Sequence, residues 1–223
     1  MDSLGRNRSS WSAMAWEKAG PVYREILRLP FLTELASGTL SRERFMYYLG
    51  QDSAYLKEYG RAMAALASRF PEPSDMALFL RLAAENLDAE RSMHDSFLRD
   101  SSGDSRPSPV CLLCSSHLWR QVIAEPLEVA LASVLPCFVV YEEAGRHIYG
   151  SASLETNPYR DWIEAYGSSD FGSSTEMIAG ICDRYASEAG PEDRERMTDA
   201  FLTGVRLEWM FWDNAYEMGQ WQI

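Results

Sequence analysis

Apolar residues recur every three to four positions along almost the whole chain, and this periodicity constrains the fold more than any other sequence feature. The spacing is typical of amphipathic helices, whereas strand signals such as Asn-Gly turns and alternating Val/Ile/Thr runs are almost absent. The pattern therefore predicts an all-α protein. The predicted helices cover residues 8–27, 30–36, 41–69, 74–100, 108–122, 125–150, 156–165, 170–188 and 191–218.

The breaks between the predicted helices carry residues that end one helix or begin the next. The segment RFPEPSD holds two prolines, and Ser74 at its end is expected to cap the following helix. Serine, aspartate, glycine and proline cluster in DSSGDSRPSP, which is typical of a loop. A chain of 223 residues can form one large domain or two small ones, and no break is long enough to link two domains. We therefore expect a single all-helical domain over residues 1–223.

Acidic residues outnumber basic ones by 33 to 21, which gives a formal net charge of −12 at pH 7. Binding to nucleic acid or to an anionic membrane surface requires a basic surface, so the charge argues against both partners. The N-terminal sequence MDSLGRNRSSWSAMAW lacks the apolar core of a signal peptide, and no segment has the roughly 20 apolar residues that span a bilayer. We expect a soluble cytoplasmic protein whose 4 cysteines are reduced thiols.

One acidic residue interrupts the apolar face of the predicted helix 41–69. Read at spacings of three and four, that face consists of Phe45, Tyr48, Leu49, Asp52, Tyr55, Leu56, Tyr59, Met63 and Leu66. Every member except Asp52 is apolar or aromatic. An unpaired buried carboxylate is unfavourable, so Asp52 either pairs with another helix or faces a pocket. The spacing alone leaves both interpretations open.

A second acidic residue lies on the apolar face of the last predicted helix. Glu208 shares a stripe with Met197, Phe201, Phe211 and Ala215. Apolar and aromatic neighbours favour the neutral form of a carboxyl group, so we expect the pKa of Glu208 to be raised. A carboxyl group with a raised pKa can accept and donate protons near neutral pH. Contact with a polar partner helix is the alternative interpretation.

The third anomaly is a proline followed by a cysteine inside the apolar segment VLPCFVVYEEAGRHIYG. Pro136 removes one backbone hydrogen bond and is expected to kink the helix, which would tilt the side chain of Cys137 away from the regular packing face. Cys137 and Tyr141 are four residues apart and are therefore neighbours on one helix face. A lone cysteine in an apolar helix is most often a small core residue, and that interpretation stays open.

Three predicted helices thus each carry one reactive polar residue among aromatic and apolar neighbours. Together, Asp52, Cys137 and Glu208 predict one small pocket between helices, lined by several tyrosines. Aromatic side chains stack on a planar ring, while acids and hydroxyls bind its amino groups and ring nitrogens. A planar, mostly neutral heterocycle is therefore the expected ligand.

Four segments contain motifs that occur in this order in one known family. They are LPFLTELASGTLSRERFMYYLGQDSAYLKEYGRA, LPCFVVYEEAG, NPYRDWIEAYGSSDF with a Trp-Ile-x-x-Tyr-x-x-x-x-Phe pattern, and EWMFWDNAY with a Glu-x-x-Phe-Trp pattern. In these motifs the chain resembles the TenA family, or thiaminase II, in its cysteine-bearing branch. Each segment alone is a weak signal, but the four in order are specific, and the resemblance is strongest over residues 30–216.

The resemblance implies a haem-oxygenase-like helical bundle that assembles as a homotetramer. It also implies an enzyme that hydrolyses 4-amino-5-aminomethyl-2-methylpyrimidine to the hydroxymethyl compound and ammonia, a reaction that salvages breakdown products of thiamine. Many members of the family also cleave thiamine itself, more slowly. The family implies no metal and no organic cofactor.

The resemblance further implies roles for individual residues. Asp52 would hold the amino group of the pyrimidine, Cys137 would be the nucleophile, and Glu208 would transfer protons. The residues expected to line or orient the ring are Tyr55, Tyr59, Tyr141, Tyr166 and Phe211. Under this interpretation Pro136 kinks the helix so that Cys137 points into the cavity.

One position departs from the family pattern. In SPVCLLCSSHLW, Cys114 stands where the family has a tyrosine before Thr/Ser-Ser-His. A smaller and less polar side chain thus replaces a tyrosine of the pocket. We expect Cys114 to belong to the substrate site and to make the cavity larger or water-filled, with a different preferred pyrimidine or weaker activity. Cys111 and Cys114 also form a C-x-x-C motif, but zinc would need a second pair of ligands, so they are expected to be structural thiols.

Two alternatives to a hydrolase remain open at this point. One is a non-catalytic pyrimidine-binding or regulatory relative, because the family tyrosine is missing. The other is a metal-dependent oxidase on the same scaffold, which would use acid–histidine pairs. The candidate pairs are Glu90/His94 and Glu143/His147. Their i,i+4 spacing matches poorly the Glu-x-x-His motif of di-iron bundles.

Overall fold

Helices make up most of the part of the chain that the structure describes. The structure, a computed structural model, describes the backbone of residues 9–97, 106–167 and 169–222, and the side chains in these ranges except those of residues 89–97, 169 and 170. Within these ranges the helices are α1 (Trp11–Ile26), α2 (Pro30–Ser37), α3 (Arg42–Ala67), α4 (Pro73–Phe97), α5 (Pro109–Ala124), α6 (Leu127–Tyr149), α7 (Arg160–Tyr166), α8 (Ser169–Glu188) and α9 (Pro191–Glu217). The prediction of an all-α protein is confirmed, while a single domain over the whole chain stays a prediction. None of these helices is both long and apolar enough to cross a bilayer.

Each predicted helix corresponds to an observed one, and the largest difference in bounds is at the start of α7. This helix begins at Arg160, several residues later than predicted. The side chain of Asn157 explains the delay, because its amide nitrogen donates to the Leu35 carbonyl oxygen at 2.9 Å and its amide oxygen accepts from the Tyr159 N–H at 2.8 Å. The chain just before α7 is therefore held as a turn against the end of α2.

Serines and prolines begin several of the helices. Ser10, Ser41 and Ser108 each precede a helix, and each accepts a hydrogen bond from the backbone N–H three residues later. The expectation that Ser74 caps α4 is wrong. The helix begins one residue earlier, at Pro73, whose fixed φ and missing N–H suit the first helical position.

Helix α6 lies at the centre of the bundle and packs against α5, α7, α8 and α9. Between Val129 and Ile148 most of its side chains are buried, on more than one face of the helix. A helix that is hydrophobic around most of its circumference belongs in a core. The position of α6 therefore brings Cys137 and Tyr141 inside the bundle, where other helices supply their neighbours.

Helices α6 and α9 approach each other closely where Pro136 faces Gly204. A Cβ atom added at Gly204 would lie 2.4 Å from the Cγ atom of Pro136, well inside van der Waals contact. Only glycine therefore fits against the proline ring. Helix α6 continues through Pro136, and the kink expected there stays a prediction. Cys137 follows Pro136 directly and Glu208 lies one turn after Gly204, so both belong to this region of contact.

Candidate active site

A cavity of about 290 Å³ opens between helices α3, α4, α6, α7 and α8. Five residues expected at the site are in its wall, namely Asp52, Tyr59, Cys137, Tyr141 and Tyr166. The volume is close to the lower end of the range of small-molecule pockets, about 300–1,000 Å³. Residues picked out by periodicity on two separate helices, α3 and α6, thus meet at one cavity.

Asp52 is a buried carboxylate in the wall of the cavity, 4% exposed. A chain of hydrogen bonds ends on it. The Tyr141 hydroxyl donates to Asp52 Oδ1 at 3.5 Å, the Tyr48 hydroxyl donates to the Tyr141 hydroxyl oxygen at 3.4 Å, and the Trp162 indole N–H donates to the Tyr48 hydroxyl oxygen at 3.2 Å. These bonds hold the carboxylate at the cavity wall. Tyr48 and Trp162, which the sequence did not single out for the site, complete this chain.

Cys137 is partly buried in the wall of the cavity. Burial raises the pKa of the Cys137 thiol well above its usual value, and the negative charges of Glu208 and Asp52 raise it further. Both acids expected at the site thus disfavour the thiolate form of Cys137. At neutral pH the sulfur is therefore a protonated thiol, which needs a base before it can attack as a thiolate.

Glu208 is a buried carboxyl group on α9, 7% exposed. Burial, with a smaller contribution from the negative charge of Asp52, raises the pKa of Glu208 to about 8. The expected upward shift is therefore confirmed. Burial raises the pKa of Tyr55 and of Cys137, and the negative charge of Glu208 adds to both shifts, so its carboxyl group interacts electrostatically with both side chains. A group with this pKa populates both protonation states near neutral pH and suits proton transfer.

Four residues expected at the site are not among the described residues of the cavity wall: Tyr55, Cys114, Glu208 and Phe211. All four are buried. The ring centroids of Tyr55 and Phe211 are 5.8 Å apart, and those of Tyr55 and Tyr59 are 5.7 Å apart. Phe211 thus packs on Tyr55, and Tyr55 packs on Tyr59, which is the member of this aromatic row that lies in the cavity wall. Their roles in binding stay predictions.

Cys114, which stands in the place of the family tyrosine, is a buried thiol on α5, 6% exposed. It donates a long hydrogen bond to the Leu207 carbonyl oxygen, with 3.8 Å between sulfur and oxygen. Burial raises the pKa of Cys114, and the charge of Glu208 raises it further. The sulfur thus lies close to the Glu208 carboxyl group, and its effect on the choice of pyrimidine stays a prediction.

Aromatic rings make up one side of the cavity. Tyr141 and Tyr166 have ring centroids 4.9 Å apart, and Phe138 and Phe171 stack at 5.9 Å with an interplanar angle of 24°. Helix α7 can come this close because Gly145 of α6 has no side chain. A Cβ atom there would lie 2.6 Å from the carbonyl carbon of Tyr166. Flat aromatic walls of this kind suit a planar ring as ligand.

Several other wall residues were not expected at the site. They are Leu56, Leu82, Glu85, Asn86, Phe138, Ala165, Phe171 and Ser174. Phe171 is the phenylalanine of the Trp-Ile-x-x-Tyr-x-x-x-x-Phe motif, so the motif was a usable signal for it. Glu85 and Asn86 look like ordinary polar residues of an amphipathic helix, and nothing in the periodicity distinguishes them.

The cysteines and acid–histidine pairs form no metal site within the described residues. No group of three or more His, Cys, Asp or Glu side chains there is arranged to hold a metal ion. Cys111 and Cys114 of the C-x-x-C motif are free thiols buried in α5, as expected of structural residues. Glu90 and His94 lie outside the residues whose side chains are described, so this candidate pair is not tested.

Comparison with known proteins gives consistent matches over most of the chain. The sequence profile of the TENA/THI-4/PQQC family matches residues 16–218. The chain is 33% identical over 207 residues to the thiamine biosynthesis multifunctional protein ThiED of Corynebacterium efficiens, and the match covers 92% of this chain but 28% of that protein. It is 26% identical to the aminopyrimidine aminohydrolase of Halalkalibacterium halodurans, and this match covers 95% of the chain and 98% of that protein.

Solved structures agree with these sequence matches. A TenA homologue from P. horikoshii OT3 superposes with a TM-score of 0.83 at 26% identity, covering 94% of this chain and 100% of that chain. A domain with a heme oxygenase-like fold from Shewanella denitrificans OS217 superposes with a TM-score of 0.70 at 14% identity, covering 91% of this chain and 90% of that chain. The second likeness concerns the fold alone, and it confirms the expected haem-oxygenase-like bundle. The family profile covers nearly the whole helical bundle, from within α1 to the end of α9. The chain therefore belongs to the TENA/THI-4/PQQC family.

Proposed function

We propose that this protein is an aminopyrimidine aminohydrolase of the thiaminase II type. Its substrate would be 4-amino-5-aminomethyl-2-methylpyrimidine, which it hydrolyses to the hydroxymethyl compound and ammonia. The observation that carries the proposal is a cavity with the Cys137 thiol and the Asp52 carboxylate in its wall, close to a second carboxyl group, Glu208, with a pKa of about 8. Relatives with the name aminopyrimidine aminohydrolase support the same substrate class.

Substrate binding in this proposal uses the acid and the aromatic rings of the wall. The carboxylate of Asp52 accepts hydrogen bonds from the amino group of the pyrimidine, which has two N–H donors. The Tyr141 hydroxyl, which donates to Asp52 Oδ1, keeps that carboxylate in position. The rings of Tyr59 and Tyr166, which also belong to the wall, pack on the flat faces of the pyrimidine.

The reaction begins with transfer of the Cys137 proton to Glu208 and attack of the sulfur on a ring carbon. A ring nitrogen takes up a proton as the carbon–sulfur bond forms, so the ring loses its aromaticity. The bond between the exocyclic carbon and the protonated amine then breaks, an exocyclic carbon–carbon double bond forms, and ammonia leaves. Water adds to the exocyclic carbon and passes a proton to Glu208. The carbon–sulfur bond then breaks, and the ring nitrogen returns its proton to the sulfur as the aromatic ring is restored. Cysteine suits this sequence because sulfur is both a strong nucleophile and a good leaving group.

Glu208 is suited to this role because its pKa of about 8 lies close to the operating pH. The Cys137 thiol has a raised pKa and is not ionised beforehand, so a nearby base is needed. Besides burial, the negative charge of Glu208 raises the pKa of the Cys137 thiol. Glu208 would accept the thiol proton first and return protons in later steps.

The proposal is tested by the release of ammonia from the aminomethylpyrimidine. Replacing Cys137→Ser should lower kcat by roughly 10³-fold or more, since the nucleophile is lost. Cys182→Ser is the matched control, because Cys182 is a fully buried thiol on α8 outside the described cavity wall. It should leave kcat within a few-fold of the wild type.

Equal turnover by Cys137→Ser and wild type would contradict the role of Cys137 as the nucleophile. Binding of the pyrimidine without any ammonia release by the wild type would favour the non-catalytic relative instead.

The family resemblance extends the proposal to thiamine and to assembly. We expect slower hydrolysis of thiamine in the same cavity, measured as release of its thiazole. A cytoplasmic homotetramer is expected as well. Leu112, Leu113 and Ile123 of α5 are 46%, 46% and 72% exposed, and an interface would remove these apolar side chains from water. Size-exclusion chromatography with light scattering measures the mass of the assembly directly.

A further inference from the structure

The cavity is large enough for a whole aminomethylpyrimidine and not for its ring alone. Its volume of about 290 Å³ equals that of about ten molecules of liquid water. The proposed substrate has no more heavy atoms than this, and covalently bonded atoms lie closer together than liquid waters do. Part of the cavity therefore remains free beyond the pyrimidine ring.

One side of this space belongs to α4. Leu82, Glu85 and Asn86 of this helix are three and four residues apart, so they share one face, and all three are in the cavity wall. The helix lies close to α3 at this level because Gly60 has no side chain. A Cβ atom at Gly60 would lie 3.3 Å from the Leu87 side chain and 3.5 Å from a backbone oxygen of the same turn.

Asn86 brings a hydrogen-bond acceptor to this part of the wall. Its Oδ1 atom is buried and has no hydrogen-bond partner among the described residues. A buried carbonyl oxygen without a partner is unfavourable, and in a cavity wall a bound ligand can supply the missing donor. The side chain is therefore arranged to accept from a group in the cavity.

Glu85 adds a partly exposed negative charge to the cavity wall. Its side chain is 56% exposed, and its Oε1 atom is 3.9 Å from the Arg81 Nε atom, at the limit of an ion pair and too far for a hydrogen bond. Exposed pairs of this kind are weak, so the carboxylate can also act on a cation in the cavity. A carboxylate and a carbonyl acceptor one residue apart form a small site for a positively charged N–H donor.

We propose that Glu85 and Asn86 form a subsite for the protonated aminomethyl group of the substrate, and that they select this amine over the hydroxymethyl product. The inference rests on the proposed function. A primary aliphatic amine is a cation at neutral pH, whereas the hydroxymethyl group of the product is neutral. Both groups can donate a hydrogen bond to Asn86 Oδ1, but only the ammonium group also gains from the charge of Glu85. The same subsite thus holds the leaving group before the reaction and releases the product after it.

The test compares the binding of two pyrimidines by calorimetry, with the Cys137→Ser protein as background so that the amine is not consumed. The two ligands are the aminomethyl and hydroxymethyl forms of the same ring. We expect the background protein to bind the amine more tightly than the alcohol. Adding Glu85→Gln should lower this preference by roughly three- to fivefold, and Asn86→Leu by roughly fivefold. Asn86→Asp should raise the preference, because it keeps an acceptor and adds a charge.

Glu25→Gln serves as the matched control, since Glu25 of α1 is a similarly exposed acid, 59%, that pairs with Arg28 just after the helix. It should leave both dissociation constants unchanged. A preference that is unaltered in Glu85→Gln and in both Asn86 variants, or a preference that falls in Asn86→Asp, would overturn the subsite. Equal binding of the two pyrimidines by the background protein would also overturn the subsite. Failure to bind either pyrimidine would instead contradict the proposed function itself.

Discussion

At the scale of single residues, Glu208 is the group whose environment most affects its chemistry. Burial disfavours its charged form, and the negative charge of Asp52 adds to the effect, so its pKa rises to about 8. A buried carboxyl group of this kind is unfavourable for folding when it is ionised. It is also useful, because it can take the proton of a neighbouring thiol. The same shift therefore predicts one effect on activity and another on stability.

Replacing Glu208→Gln removes the proposed proton acceptor but preserves the size of the side chain. We expect kcat for ammonia release to fall by about 10²–10⁴-fold, the usual contribution of a general acid or base, with little change in KM. Steady-state kinetics measures both constants. Near-normal kcat in this variant would exclude Glu208 as the group that transfers protons. Glu176→Gln, a change to an exposed acid on α8, should leave kcat unaltered.

The stability of the protein should depend on pH through Glu208. Between the ordinary pKa of 4.5 and the folded-state value of about 8, the folded protein holds this proton and the unfolded chain does not. Stability therefore falls as pH rises through this window, by up to about 1.4 kcal/mol per pH unit from this group. Above pH 8 both states are ionised and the dependence ends.

Urea unfolding of wild type and Glu208→Gln at pH 5, 7 and 9 measures this effect, because glutamine does not titrate. The free energy of unfolding of the variant, relative to wild type, should increase from pH 5 to pH 9. A difference that is independent of pH, or that decreases with pH, would show that the pKa of Glu208 is not raised.

At the scale of secondary-structure elements, the contact between α6 and α9 leaves no room for a larger residue. Pro136 is a rigid ring that faces Gly204, and there is no room for a Cβ atom between them. The contact lies next to Cys137 on one helix and one turn before Glu208 on the other. Separating these two helices would therefore change the distance between the thiol and the carboxyl group.

Replacing Gly204→Ala should destabilise the protein by about 1–3 kcal/mol, because the proline ring cannot move aside and the two helices must separate. Ammonia release should fall as well. Chemical denaturation measures the first effect, and kinetics at a temperature where the variant is folded measures the second. Gly180→Ala is the control, since a Cβ atom there meets nothing within 4 Å. As alanine favours helices, this control should be as stable as wild type or slightly more stable. Equal stability of the two variants would contradict the close contact.

At the scale of the whole molecule, the cavity is a product of the assembled bundle. Its wall comes from α3, α4, α6, α7 and α8, and no single helix supplies more than a part of it. An unfolded chain therefore has no site for the pyrimidine. A ligand that binds only the folded state stabilises it by mass action.

The hydroxymethylpyrimidine should accordingly raise the melting temperature of the Cys137→Ser protein. At a ligand concentration of about 100 Kd the stabilisation is about 2.7 kcal/mol, which corresponds to a shift of about 5–10 °C for a chain of this size. Differential scanning fluorimetry measures the shift. Adding Asp52→Ala should abolish most of it, because this removes the acid that we propose binds the amino group. An equal shift in both proteins would indicate that the ligand binds elsewhere.

The amino-acid sequence by itself determined the helices and the polar residues that interrupt their apolar faces. Periodicity depends on neighbours three and four residues away, so it identified Asp52 and Glu208 without knowledge of the fold. It also predicted the raised pKa of Glu208, because apolar neighbours on the same helix already imply burial. The motifs around Cys137 and Trp162 added the family, and with it the bundle.

Only the tertiary structure decided which of these residues share a cavity wall and which lie behind it. Asp52 and Cys137 line the cavity while Glu208 and Cys114 are buried beside it, and Glu85 and Asn86, ordinary polar residues of α4, belong to the wall. The reason is that a wall depends on how far apart helices pack and how each is rotated about its axis. Those quantities are set by contacts between residues distant in the chain, such as Pro136 with Gly204, which local spacing does not contain.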